Sequence, residues 1–452
     1  MWNQFADAMR GHDADYIEIH AEESQSTNIV YRGERLEEVG RTRSSGGNVR
    51  ALAQGSWGFV SFNWLDKLRD KVALAVEEAK LAGREPFKLF PMEAVVDTVT
   101  QSVKRDSASV PLAAKKQVLD GYNDILLSSP KIQSTRVDYH DVSRKVISAN
   151  SEGSYIEQAK PDLTLRLTAI ARGDNEVRQA GLSLGSKGDF SAIEGLHDQV
   201  KEIARRAAAL LSAPAVKGGE YTVILDPVLA GVFAHEAFGH LSESDFVYQN
   251  EPLQQIMVLG RRFGGKHLNI VDDATIPNLR GSYKYDDEGM PAAKTYLIRE
   301  GILVGRLHSR ETAAKMGEQP TGNARAINYL FSPIVRMTNT FIEPGGSSFE
   351  EMLGDIEEGV YVKDWYGGMT SLEMFTFSAG EAYMIRKGKL AELLRPVTLT
   401  GNVFITLDNI DAIGNDLQMN QGGGCGKGGQ SPLPVSNGSP HIRIRHCLVG
   451  GR

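Results

Sequence analysis

Residues 221–240 read Tyr-Thr-Val-Ile-Leu-Asp-Pro-Val-Leu-Ala-Gly-Val-Phe-Ala-His-Glu-Ala-Phe-Gly-His, and the architecture around them follows from the order of their features. Tyr221 to Leu225 is a short apolar strand. Asp226 has the side chain of a helix N-cap, and Pro227 stands where the first helical position tolerates proline. A strand should therefore pass directly into a helix that carries His235, Glu236 and His240 near its C-terminal end.

Zinc peptidases commonly use the pattern HExxH, whose histidines lie about 40° apart around a helix and converge on one ion. Here the spacing is HExxxH, and a regular helix would set His235 and His240 about 140° apart. A shared metal therefore requires a distortion. Gly239 can supply one, through a π-type bulge or a helix end with positive φ, either of which swings His240 back. Glu236 is then the natural general base toward water acidified by the ion. The plainer alternative is two packing histidines and a surface Glu. Two histidines with an intervening Glu in this register favour the metal.

A catalytic zinc needs a third protein ligand and an open position for water. His267, His308, His441 and His446 form no second cluster in the sequence. The unusual segment is 421–430, Gln-Gly-Gly-Gly-Cys-Gly-Lys-Gly-Gly-Gln, with six glycines around Cys425 and Lys427. A loop that flexible is costly to order, and a thiolate–metal bond at Cys425 would fix it, with Lys427 favouring the thiolate. Gly424 and Gly426 leave room for a substrate backbone, so both are candidates, with Lys427, for a substrate loop. A disordered linker is one competing reading of this segment. A phosphate loop is another, but Gln421 and Gly428 stand where GxxxxGK[ST] needs Gly and Ser/Thr, and Pro432 and Pro434 oppose the helix it requires. Cys447, in a strand-like stretch, reads as a buried structural residue.

The remaining bulk features set limits. The chain has 452 residues, 41% hydrophobic and 24% charged, which suits a soluble globular protein of two domains. Its formal charge of -7 argues against nucleic acid as a partner. No apolar run is long enough to span a membrane, and the first residues do not form a secretory signal. Two cysteines do not make a disulfide framework, so a reduced, cytoplasmic protein is expected.

The fold class expected is α+β. Asp15–Asn63 reads as a β-meander followed by a helix over 65–82, a second helix over 112–127, strands over 133–184 and a helix over 197–211. These strand–helix units would form an N-terminal domain of residues 1–214, with a distant internal duplication as one way to read the repeated order. The stretch 212–219, rich in small residues, Pro and Gly, reads as a linker. Residues 219–452 would form a largely β domain around the metal-binding helix, with further helices near 309–316 and 348–357.

The HExxxH segment with Glu243, together with the late Gly-Gly-Gly-Cys425-Gly-Lys-Gly-Gly-Gln430, resembles the TldD/PmbA family of metallopeptidases. Tyr285-Asp-Asp-Glu-Gly-Met-Pro-Ala, Leu297-Ile-Arg-Glu-Gly-Ile-Leu303, Arg336-Met-Thr-Asn-Thr340 and Glu343-Pro-Gly345 are similar to it as well. The resemblance is dense over the C-terminal domain and thinner over the N-terminal one. Ser242 is a local departure, where active members more often have an aliphatic residue. The resemblance implies a dimer, either of identical chains or with a paralogue lacking the motif. It also implies cleavage of extended or unfolded peptides bound as an added strand. This chain keeps His235, Glu236, His240 and Cys425, so it resembles the active type.

The expectation is a zinc-dependent peptidase with one Zn2+ per chain, held by His235, His240 and Cys425, with Glu236 as general base. The alternative is a non-catalytic peptide-binding or partner subunit with a structural metal. Glu243 either orients a ligand by accepting its hydrogen bond or is a solvated acid near the helix end. Asp286-Asp287-Glu288-Gly289 reads more readily as a polar turn than as a cation site. Tyr283 and Tyr285 both remain open as donors to an oxyanion.

Overall fold

The computed structural model describes residues 1–371 and 373–451. It opens with α1 (Trp2–Met9), a helix with no counterpart among the sequence-based expectations, which buries Phe5, Ala8 and Met9. Strands β1 (Tyr16–Arg32), β2 (Arg35–Ala53) and β3 (Ser56–Phe62) form the expected meander, and α2 (Leu68–Ala82) packs on it. After β4 (Val96–Val99) and α3 (Leu112–Leu127) come β5 (Ile132–Asn150), β6 (Tyr155–Ala159), β7 (Asp162–Arg172) and β8 (Val177–Ser186), closed by α4 (His197–Leu210).

These eight strands form one sheet, in which β5 is shared. It pairs with β1 along one edge, and along the other with β7 in its first half and β6 in its second. Two cores result. Phe5, Ile19, Val49 and Val72 fill one, beneath α1 and α2. Leu119, Tyr122, Leu165 and Ile203 fill the other, beneath α3 and α4. Neither core is confined to one strand–helix unit: Ile147 and Ala149 of β5 enter the first, and Ile29 and Tyr31 of β1 enter the second.

From β9 (Gly219–Leu225) onward, strands dominate. Glu358–Ser371, β9, Ile442–Gly451, Val397–Asn402 and Met374–Arg386 neighbour one another in that order, and the first also pairs with the last, closing a ring. A second sheet has six strands, with Asn339–Ile342 and Ser436–Ser439 pairing parallel within it. Helix α5 (Pro227–Ala234) packs against Ser436–Ser439 on one side and Glu358–Ser371 on the other. That close approach explains Gly231: a Cβ there would lie 2.8 Å from the backbone nitrogen of Gly438.

The helices expected near 309–316 and 348–357 are Arg310–Met316 and Phe349–Gly354, each opened by a serine capping box. Three helices of five or six residues, Ser244–Tyr248, Glu251–Ile256 and Val403–Asp408, are too short to leave a periodic signal. The stretch between α4 and β9 is pinned rather than loose. Arg395 Nε donates to the carbonyl of Ala213 at 2.9 Å, and Val216 enters the C-terminal core. Among the described residues no helix is long and apolar enough to cross a membrane.

Candidate metal centre

The site is assembled where α5 ends. Asp226 Oδ1 accepts from the Leu229 backbone at 2.9 Å and Pro227 takes the first helical position, so the helix starts where the strand stops. Residues His235–Gly239 then form a π-turn, in which the backbone N–H of His240 donates to the carbonyl of His235. The extra residue of HExxxH is absorbed in that turn. Of the two distortions open to the sequence, the bulge is the one present. Gly239 has a φ of -58°, so left-handed geometry plays no part. Its lack of a side chain matters for another reason: a Cβ there would lie 2.1 Å from Met337 Sδ.

The consequence is that the rings of His235 and His240 meet edge to face, with centroids 5.2 Å apart and planes 83° apart. Cys425, on the short strand Cys425–Lys427, meets them, with its Sγ 3.5 Å from His240 Nε2. The ligating atoms of His235, His240 and Cys425 all lie within 4.8 Å of one another. His235 and Cys425 are buried, while the His240 side chain keeps 24% of its exposure. Glu236, beside His235, is half-buried, and among the described residues its carboxylate has no hydrogen-bond or ion-pair partner.

Electrostatics favour ligation. Burial alone would push the Cys425 thiol up, yet the imidazoles of His235 and His240 hold it well below the ordinary thiol range. Thiolate is the form that binds metal. His235 Nδ1 is buried without a hydrogen-bond partner, an unpaired polar atom of the kind that costs free energy in an interior. Two imidazoles and one thiolate are a zinc donor set with a fourth position left open. The residues present fit the ion.

Glu243 is buried, which removes the solvated-acid alternative. Its Oε2 accepts from His240 Nδ1 at 3.0 Å and lies 3.0 Å from Lys427 Nζ. Burial would raise its carboxyl, but His240 and Lys427 bring it to about 2. Lys427 also donates to Asp245 Oδ1 at 2.6 Å and to the carbonyl of Val335 at 2.8 Å. Its ammonium is thus directed at the acids of Glu243 and Asp245. The glycines also have specific neighbours: a Cβ on Gly424 would lie 2.7 Å from Pro432, and one on Gly426 would lie 3.2 Å from Ser431 Oγ. The room at these positions is taken by the facing strand Gln430–Leu433.

The glycine-rich loop is ordered by two arginines to which the sequence reading gives no role. The fully buried Arg336 donates to the carbonyls of Cys425 at 2.8 Å and Gln430 at 3.3 Å. Arg280 donates to the carbonyls of Gln421 and Gly423 while its other edge grips Asp162 through two bonds of 2.6 and 2.8 Å. Ser183 Oγ donates to Gly422 at 2.6 Å. Asp162 and Ser183 belong to the N-terminal sheet, so that sheet takes part in holding the Cys425 loop.

Other candidates lie elsewhere. Asp286 accepts from the backbones of Glu288, Met290 and Ala324, closing a turn at Gly289, whose φ is 84°. The hydroxyl of Tyr283 donates to Gly322 at 2.6 Å and that of Tyr285 to Asp97 at 2.9 Å. His308 contacts Thr312 and Glu318, and His441 contacts Tyr361 and Asp416.

Two helix-borne histidines, with Glu236 between them, and a cysteine distant in sequence close on one point, the arrangement of a candidate metal site. Three family models match along the chain: PmbA/TldA metallopeptidase domain 1 over residues 17–82, the central domain over 105–211 and the C-terminal domain over 218–451. The chain belongs to the PmbA/TldD metallopeptidase family. It is 48% identical to a metalloprotease of Synechocystis over 97% of this chain and 95% of that protein. It is 34% identical to a zinc metalloprotease TldD homolog of Saccharolobus solfataricus, over 71% of this chain and 72% of that protein. In fold it is similar to TldE of Thermococcus kodakarensis, with a TM-score of 0.78 at 17% identity over 99% of both chains. A Thermotoga maritima protein described as a modulator of a DNA gyrase also matches, with a TM-score of 0.78 at 22% identity over 96% of both chains.

Proposed function

We propose that this chain is a zinc-dependent peptidase, with one ion held by His235, His240 and Cys425 and Glu236 as general base, acting on extended or unfolded peptides. The observation that carries this reading is the π-turn, which brings two histidines five residues apart onto one cysteine 185 residues further along. Nothing in packing alone calls for that convergence.

A zinc ion at this point would supply a Lewis acid that acidifies water and polarises a peptide carbonyl. Glu236, unpaired and half-buried beside His235, accepts a proton from water at its carboxylate and returns it to the departing amine nitrogen. Glu243 accepts from His240 Nδ1, which fixes the ring so that Nε2 faces Cys425. Lys427 holds Glu243 in place and ties the Cys425 loop to the helix beyond His240. Glu243 and Lys427 thus orient the donors.

The reading extends to the setting: a cytoplasmic protein that works as a dimer, with itself or with a paralogue of the kind named TldE. Residues 1–214 and 219–452 would be its two domains. The test is metal content per chain, measured on wild type, His240→Ala and Cys425→Ser purified without added metal. About one zinc in wild type and a sharp fall in both variants are expected. Unchanged metal in Cys425→Ser would remove the cysteine from the site. Glu236→Gln should retain the ion and lose turnover of an unfolded peptide by about 10²–10⁴-fold; normal cleavage by that variant would end its assignment as base.

A further inference from the structure

A second constellation lies where the N-terminal sheet meets the C-terminal half. There a cavity of about 70 Å³ is lined by Lys160, Lys187, Arg280, Arg325, Asp287 and Leu433 among others. Most of its charges are matched. Lys160 pairs with Asp287, and Arg280 pairs with Asp162. Two cations are not. Among the described residues, Lys187 has neither a hydrogen bond nor an ion pair, and Arg325 makes no ion pair. Arg325 donates to the carbonyls of Met337 at 2.6 Å and Pro434 at 2.7 Å and stacks on the Tyr283 ring, and Asp287 and Asp272 act on its charge only from beyond ion-pair distance.

Burial, with Lys160 and Arg325 as like-charged neighbours, brings the Lys187 ammonium down to about 8. An ammonium held among cations in a concave polar space is an arrangement that an anion relieves. The position also bears on the candidate active site. Leu433, in the cavity wall, is the cross-strand partner of Cys425, and Arg280 holds the loop leading into Cys425. Paired residues in such a ladder have Cα atoms about 5 Å apart, so the cavity begins one strand away from the metal donors.

We propose that this cavity is a carboxylate-binding subsite in which Lys187 and Arg325 receive an acidic group of the peptide. A singly charged, flat carboxylate suits it better than a multiply charged anion, because Asp162, Asp286 and Asp287 also line the cavity and oppose further negative charge beside Lys187 and Arg325. Two sources share that chemistry: an Asp or Glu side chain, and a C-terminal carboxylate. The inference rests on the peptidase reading for its substrate, but its central observation, the two unmatched cations, does not involve the metal.

The test uses the full-length Glu236→Gln chain as a non-cleaving host and fluorescent octapeptides in which Asp is walked through each position, each with a matched Asn control. A second pair ends in a free carboxylate or an amide. One register, or the free terminus, should bind at least ten-fold more tightly than its neutral control. Lys187→Met should erase that difference without changing affinity for the neutral peptide, and Lys187→Arg should keep most of it. Comparing matched peptides in the same variant separates a charge effect from a loss of folding. Equal affinity for acidic and neutral peptides at every position, a preference that survives Lys187→Met, or no binding of any peptide would overturn the proposal. Wild-type cleavage of the same peptides is read separately. Charge-selective binding with no cleavage keeps the subsite and sinks the peptidase, and cleavage with no charge preference does the reverse.

Discussion

Glu243 accepts from His240 on one side and is held by Lys427 on the other, and its second oxygen, Oε1, has no partner. A carboxylate so deeply buried is tolerable only while both His240 and Lys427 donate to it. Lys427 is therefore a structural tie from the Cys425 strand to the acids beyond His240. Replacing it with Met leaves Glu243 and Asp245 facing each other without their shared cation. The expected result is a metal affinity lower by about 10–100-fold, measured by chelator competition, with the neutral-peptide affinity little changed. Retained metal affinity would mean that Glu243 orients His240 without help from Lys427.

At the scale of the element, the helix that carries the site begins at an unusual cap. Burial raises the Asp226 carboxyl to about 7, against the backbone N–H groups of Leu229 and Asp364 that favour its charged form. The folded chain thus binds this proton more tightly than the unfolded chain, whose carboxyl titrates near 4. The associated stability is complete below about pH 4 and is lost as pH rises toward 7. Asp226→Asn keeps an oxygen for Leu229 and removes the charge. It should be more stable than wild type at pH 8, on the order of 1–4 kcal/mol, and nearly equal at pH 4. Urea unfolding at the two pH values checks this, and an Asn variant less stable at pH 8 would show that the charged cap is the stabilising form. The strand, the cap, Pro227 and the need for a distortion at HExxxH were all legible in residues 221–240, because each is a local rule. Gly239 shows where legibility stops. Its absent side chain clears space for Met337, a residue 98 positions away, and no local pattern records that. The same holds for Arg280 and Arg336, whose roles depend on carbonyls of a loop distant in sequence, and for α1, whose eight residues hold only one apolar stripe.

Over the whole molecule, the two halves are joined by buried charge rather than by one shared apolar core. Arg50 on β2 donates to Glu18 on β1 at 2.7 Å and to Glu288 of the C-terminal half at 2.8 Å, with its guanidinium over the Trp57 ring. All three charged side chains are at most 6% exposed. Burial would raise the Glu18 carboxyl, yet Arg50 and His20 bring it to about 2, below its ordinary 4.5. A carboxyl depressed in the folded state contributes stability that is present above the unfolded value and lost as pH falls through the folded one. Arg50→Met leaves two buried carboxylates without their cation, a change that typically costs about 3–5 kcal/mol. The loss should be largest at pH 7. It should shrink toward pH 4, because Glu18, deprived of Arg50, can then take up a proton and become neutral. Thermal unfolding of both proteins across that range decides the matter. A constant difference would assign the effect to lost packing on Trp57, whereas a difference that closes with acid would identify this ion triad as the joint between the N-terminal sheet and the half that carries His235, His240 and Cys425.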